Sequence, residues 1–206
     1  DYVSIWVGLA KVGVVTALVN THLEGEALQH CLAIAEADHV IAGPERDRAV
    51  SEVAARMERL PKVWTLGGTH GEDLAAMLPS LSSERPSRGL RAHLRGKDLC
   101  LLIYTSGTTG PPKAVMLSHR NLAWTADLAV EMLNLTADNR VLSYLPLSHI
   151  AEQLFSIHGP INVGMQVYFF SDEKEKFAEY LAEVQPTLFF GVPRVWEKLH
   201  AKIGAA

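Results

Sequence analysis

Tyr104-Thr105-Ser106-Gly107-Thr108-Thr109-Gly110-Pro111-Pro112-Lys113 follows directly on the apolar run Leu99-Cys100-Leu101-Leu102-Ile103. The run reads as a buried strand. Gly107 and Gly110 let the backbone beyond it take positive φ and approach a ligand closely. The hydroxyls of Thr105, Ser106, Thr108 and Thr109 offer donors without bulk, and Lys113 adds a mobile positive charge. A strand entering such a loop can turn several backbone N–H groups onto one anion, so the stretch reads as a phosphate cradle. It is not a Walker-type loop. Gly107 and Gly110 lack that spacing, and Ala114, not Ser or Thr, follows the lysine.

The rest of the composition sets the frame. The chain has 206 residues, 48% hydrophobic and 20% charged, enough to bury a core in one or two α/β units. A net charge of −4 leaves no electrostatic footprint for nucleic acid. Cys31 and Cys100 lie far apart in apolar surroundings and read as buried free thiols. No signal peptide and no apolar run of bilayer length is present, so a cytoplasmic enzyme is expected, with peripheral membrane contact left open. The chain opens on an already helical, apolar stretch and stops just after a helical pattern. A portion of a longer chain is therefore expected.

Upstream of the cradle, helices are expected over Tyr2–Val12, Glu24–Glu36 and from Pro44 to about Leu60, with Leu28, Cys31, Leu32 and Ala35 facing inward on the second. Val14–Val19, His39–Ala42 and Lys62–Leu66 read as strands between them. A short helix is expected over Asp73–Leu78. Residues 79–97 then have linker composition, with Arg85, Arg88, Arg91, Arg95 and Lys97 making it basic. Two readings stand there: a solvated connector, or a steering patch for anionic ligands.

Downstream, Val115–Leu117 can form a strand. Ser118 caps a helix to about Leu133, with Leu122, Ala126, Ala129 and Leu133 on one face. Arg140–Leu145, Gln166–Phe170 and Thr187–Phe190 read as strands. Helices are expected from Ile150, after the D-x-x-E box of Asp172 and Glu175, and over Val195–Leu199. The alternation predicts an α/β fold with two parallel-sheet layers, divided as 1–98 and 99–206. In such sheets ligands bind beyond the carboxyl ends of the strands. Residues 104–113, 146–153 and 191–193 all follow strands and could face one crevice.

Two further stretches carry chemistry. In Leu145-Pro146-Leu147-Ser148-His149-Ile150-Ala151-Glu152, the proline fixes the strand exit and places His149 at the rim of the sheet. Glu152 reads as a helix-start charge more than as a base. Phe189-Phe190-Gly191-Val192-Pro193-Arg194-Val195-Trp196 reads as a strand, a tight glycine turn and a proline at a helix start. The other histidines, His30 among them, show no metal-ligand spacing.

The string Tyr104–Lys113 resembles the phosphate loop of the adenylate-forming enzymes: acyl-CoA synthetases, luciferases and peptide-synthetase adenylation domains. With Tyr144–Glu152 and Pro186–His200, residues 99–200 resemble long-chain fatty acyl-CoA synthetases of the bubblegum-type branch. Residues 2–42 are more similar to the transport-protein and very-long-chain branch, through Leu9–Gly13 and through Asn20-Thr21 and His30-Cys31-Leu32. The resemblance covers nearly the whole chain and implies the incomplete N-terminal domain of such a synthetase.

The resemblance implies an enzyme that uses ATP with Mg²⁺ to convert a fatty acid to acyl-AMP and then passes the acyl group to CoA. It implies that Thr105, Ser106, Gly107, Thr108, Thr109 and Gly110 hold the β- and γ-phosphates, with Lys113 adding charge. Thr105 would also help to hold Mg²⁺. His149 would lie by the acyl carboxylate and the α-phosphate, and Gly191, Val192 and Pro193 would form part of the acyl pocket. The family's adenine, ribose, hinge and C-terminal lysine motifs are expected downstream, so residues 1–206 alone are expected not to catalyse adenylation. Ala114 stands where most members have Gly, and Gln153 where some long-chain members carry a Trp gate. Other readings are a ligase for an aryl, bile or carrier-bound acid, and a truncated, non-catalytic module that binds acyl chains or a partner.

Overall fold

The computed structural model describes residues 1–105, 111–170 and 176–204. They fall into two compact units, Asp1–Asn121 and Leu122–Ala206.

The first unit opens with helix α1 (Tyr2–Lys11), strand β1 (Thr16–Leu18), helix α2 (Gly25–Ala35) and strand β2 (His39–Ala42). Helix α3 (Asp47–Ala54), strands β3 (Lys62–Thr65) and β4 (Glu72–Asp73) and helix α4 (Leu74–Met77) follow. Strands β5 (Leu99–Thr105) and β6 (Lys113–Ser118) close the unit. Helix α5 (His119–Leu133) leads into the second unit. There strand β7 (Arg140–Ser143) precedes helix α6 (Ile150–Gln153), a π-helical turn (Leu154–His158) and helix α7 (Gly159–Val163). Strand β8 (Gln166–Phe169) and helices α8 (Phe177–Val184) and α9 (Pro193–Gly204) complete it.

Parallel pairing dominates, as the β-α alternation requires. β2 runs parallel to β3 and β3 to β4, β1 to β5, and β7 to β8. β1 pairs Thr16 with Leu101 and Leu18 with Ile103. The sheet β1–β5–β6 therefore draws strands from both of the portions expected above. Its other edge differs from the expected alternation: β5 and β6 form an antiparallel hairpin in which Thr105 faces Lys113.

Each unit has its own core. In the first, Leu28 and Leu32 of α2 pack with Ala42, Val50 and Val53. In the second, Leu135, Val141 and Met165 pack with Val163, Val167 and Leu188 around them. Cys31 and Cys100 are buried free thiols, and burial pushes both thiols up from their ordinary range.

Several expected elements shift, each for a local reason. Val14 and Val15 are 45% and 41% exposed, so the strand after α1 is confined to Thr16–Leu18. The helix expected from Pro44 begins at Asp47. A turn closed by Arg46 N–H to the Gly43 carbonyl (2.9 Å) holds Pro44 outside it. The helix also stops short of Leu60: Arg56 and Met57 N–H reach back only three residues, to Val53 and Ala54. The buried Asp47 carboxylate accepts from the N–H groups of Thr69 (2.6 Å) and His70 (3.1 Å), and these bonds hold its pKa below the usual range.

Further on, Leu133 is 46% exposed, while Leu122, Ala126 and Ala129 are buried as expected. Ser118 caps α5, its Oγ accepting from Asn121 N–H (3.2 Å). The strand expected over Thr187–Phe190 forms no ladder. The N–H groups of Thr187 and Leu188 both converge on the single carbonyl of Arg140 (3.0 and 3.2 Å), which leaves no alternating register. The Asp172 and Glu175 cap lies outside the described residues.

Candidate active site

In the first unit the site residues sit at the mouth of the β5–β6 hairpin. Thr105 ends β5 and Lys113 begins β6, and the Thr105 hydroxyl reaches the Lys113 carbonyl at 3.5 Å. Both residues are exposed, and Lys113 makes no ion pair among the described residues. Ser106, Gly107, Thr108, Thr109 and Gly110 lie outside the described residues. The hairpin brings a hydroxyl and an ammonium to the two ends of one loop, a donor set suited to phosphate oxygens.

Sequence reasoning missed what holds this loop. The Tyr104 hydroxyl, one residue before Thr105, donates to the carbonyl of Cys31 at 2.6 Å. Burial pushes its pKa up to about 12, with a smaller push from the Cys31 thiol, so the phenol stays a donor. On the other stem, His30 Nε2 lies 2.9 Å from the carbonyl of Pro112. A carbonyl only accepts, so His30 carries its proton on Nε2. Its spacing in the sequence, which suits no metal, gives no sign of this contact. No local signal in the sequence points from residue 30 to residue 112.

The second unit carries His149, Gly191, Val192 and Pro193. His149 N–H closes a turn on the Pro146 carbonyl (2.9 Å), and its side chain caps α6 by accepting from Ala151 N–H at Nδ1 (3.3 Å). With Nδ1 occupied as an acceptor, the neutral ring has its proton on Nε2 and presents a donor from an exposed position. Directly behind it, Gln153 is fully buried, and its amide nitrogen donates to the Leu147 carbonyl (2.8 Å). The amide oxygen then faces His158 Nε2 at 3.2 Å. Gln153 is thus a buried brace under the loop that carries His149. Glu152 stands in the first turn of α6 as expected, and at 3% exposed it also accepts from Ser156 Oγ at 2.6 Å in the interior.

The Gly191–Pro193 turn joins the strand exit of β7. Tyr144 donates to the Phe190 carbonyl (2.8 Å) and stacks on Phe189, with ring centroids 5.6 Å apart. Phe155 of the π-helical turn stacks on Phe190 at 5.0 Å. π-Helical turns are rare and recur at functional sites. Trp196 Nε1 donates to the Gly191 carbonyl (2.8 Å), and a Cβ on Gly191 would stand 2.7 Å from that nitrogen. Gly191→Ala is expected to displace Trp196 and lower stability by about 1–3 kcal/mol, as overpacking does. A denaturant titration read by tryptophan emission checks this, with an unchanged midpoint as the contrary result.

Among the described residues, no group of three or more His, Cys, Asp or Glu side chains could hold a metal ion. No helix there is long and apolar enough to cross a membrane.

The model of the AMP-binding enzyme family matches residues 1–206. The chain is 42% identical over 152 residues to the long-chain-fatty-acid–CoA ligase ACSBG2 of Gallus gallus, covering 65% of this chain and 20% of the relative. It is 39% identical over 154 residues to the long-chain-fatty-acid–CoA ligase ACSBG1 of Bos taurus, covering 70% of this chain and 20% of the relative. The chain thus spans about a fifth of the length of these curated relatives. A solved long-chain-fatty-acid-CoA ligase (FadD1) from Archaeoglobus fulgidus superposes with a TM-score of 0.86 at 24% identity, over 100% of this chain and 40% of that one. ATP-bound MatB from Rhodopseudomonas palustris gives 0.80 at 24% identity, over 96% and 38%. The structural likenesses bear on the fold: α/β with parallel sheets, as in ligase N-terminal domains.

Proposed function

Because this chain belongs to the AMP-binding enzyme family, we propose that the protein is an AMP-forming long-chain fatty acid–CoA ligase. In the first half-reaction a fatty-acid carboxylate attacks the α-phosphorus of ATP, forming acyl-AMP and releasing pyrophosphate. In the second, the thiol of CoA attacks the acyl carbonyl and AMP leaves. The long-chain preference follows the relatives, whose names specify such acids.

The first step sets an anion against a polyanion, so the catalyst has to neutralise charge and align the reactants. The observation that carries the reading is the hairpin mouth, where Thr105 and the exposed Lys113 flank one loop. Lys113 supplies the charge. Ser106, Gly107, Thr108, Thr109 and Gly110 supply small side chains and backbone donors for the β- and γ-phosphates. The Thr105 hydroxyl is a hard oxygen suited to the Mg²⁺ that accompanies ATP, an ion that binds through few protein groups and through phosphate oxygens. His149, with Nδ1 held by the cap, acts through Nε2–H as a donor to a carboxylate or α-phosphate oxygen. Gly191, Val192 and Pro193, backed by Phe189, Phe190 and Trp196, line the acyl side.

The test is acid-dependent ATP–pyrophosphate exchange by the full-length protein over a panel of fatty, aryl and bile acids. Exchange that rises with fatty chain length is expected. Exchange confined to aryl or bile acids would replace the substrate class, and no exchange with any acid would favour a non-catalytic module.

A further inference from the structure

The nucleotide loop has two stems, and both are fastened to adjacent residues of one helix. Tyr104 on the β5 stem donates to the Cys31 carbonyl, and Pro112 on the β6 stem accepts from His30. Helix α2 is itself immobilised: Leu28, Cys31 and Leu32 are 4%, 0% and 4% exposed and lie in the first unit's interior. We propose that His30 and Tyr104 form a two-point clamp that presets the phosphate-binding hairpin, with His30 as the positioning residue for Lys113.

The geometry gives His30 a specific lever. Pro112 C=O and Lys113 N–H belong to one planar peptide unit. Fixing the carbonyl on the imidazole therefore fixes the plane from which the Lys113 side chain springs. Pro112 has no N–H of its own to anchor that stem, so the carbonyl is its only backbone handle. A Pro112–Lys113 stem free to pivot would have to be fixed by ATP at each binding event, and a stem fixed beforehand spends no binding energy on that. His30 touches no reacting atom in this arrangement; it acts through Lys113 and the loop.

The inference rests on the ligase reading for its kinetic arm and on ATP binding alone for its second arm. In the full-length enzyme, His30→Ala is expected to lower kcat/KM for ATP in the exchange reaction about tenfold, the size of one lost, partly buried hydrogen bond. Thioester formation from preformed acyl-adenylate and CoA, which uses no β- or γ-phosphate, is expected to stay at the wild-type rate. His30→Gln places an amide N–H near the Nε2 position and is expected to restore most of the loss. Tyr104→Phe, which keeps shape and removes only the hydroxyl, is expected to shift ATP kinetics in the same direction and serves if His30→Ala fails to fold. Equal losses in both half-reactions, or wild-type ATP kinetics in both His30→Ala and Tyr104→Phe, would overturn the clamp. Should the wild type activate no fatty acid, equilibrium binding of ATP decides. Weaker binding by the variants supports the clamp although the substrate reading has failed, and unchanged binding overturns it.

Discussion

Lys113→Ala in the full-length protein is expected to slow single-turnover acyl-AMP formation by about 10- to 150-fold. That is the range given by losing roughly 1.5–3 kcal/mol of charge-assisted bonding at about 1.4 kcal/mol per tenfold. The side chain is exposed at the start of β6 and pairs with no acid among the described residues, so its removal leaves the hairpin ladder intact. The loss should therefore appear in chemistry or ATP affinity without a fall in melting temperature. Thr105→Ala is expected to act in the same step with a smaller loss and a raised Mg²⁺ requirement, because its oxygen is one of several ligands. Quenched-flow measurement of acyl-AMP at saturating acid separates the outcomes. Unchanged single-turnover rates in both variants would remove the phosphate role from this hairpin.

Acidification is expected to destabilise the second unit through His158. Burial lowers its pKa from the ordinary 6.5 to about 4. Above pH 6.5 the ring is neutral in the folded and unfolded chains alike. As pH falls below that, the unfolded chain binds a proton that the folded chain refuses until about pH 4. Stability is therefore complete above pH 6.5, declines through the window and levels off below pH 4, a loss of about 3 kcal/mol from this one group. The structural cause is burial of the ring at the end of the π-helical turn, where desolvation disfavours the charged form. His158→Gln keeps an N–H donor and cannot titrate. Between pH 7 and 4 the denaturant midpoint of the wild type should fall more steeply than that of the variant, since the carboxylates titrate alike in both and only the wild type carries the imidazole. Parallel curves would show that His158 does not carry the dependence.

Much of this molecule is legible in local sequence. Amphipathic spacing places Leu28, Cys31 and Leu32 on the buried face of α2, because helical period alone decides which side chains share a face. The strand Leu99–Ile103 and the strand at Val115–Leu117 both form, and Ser118 caps α5. Local rules fail where a backbone partner is chosen from elsewhere. Thr187–Phe190 has strand-like residues, yet two of its N–H groups spend themselves on one carbonyl of Arg140. Gln153 is a locked interior amide, because its partners Leu147 and His158 lie on either side of a helix start.

What the sequence determined by itself is the alternation of strands and helices and the apolar setting of the two free thiols. Each is a property of residues a few positions apart. Tertiary structure decided that β1 lies beside β5, that β5 and β6 form an antiparallel hairpin, and that His30 and Tyr104 hold its two stems. Residues 30 and 112 stand 82 positions apart. Periodicity reports which face a side chain occupies, whereas its partner across the interior is set by how whole elements pack, and no short-range pattern encodes that choice.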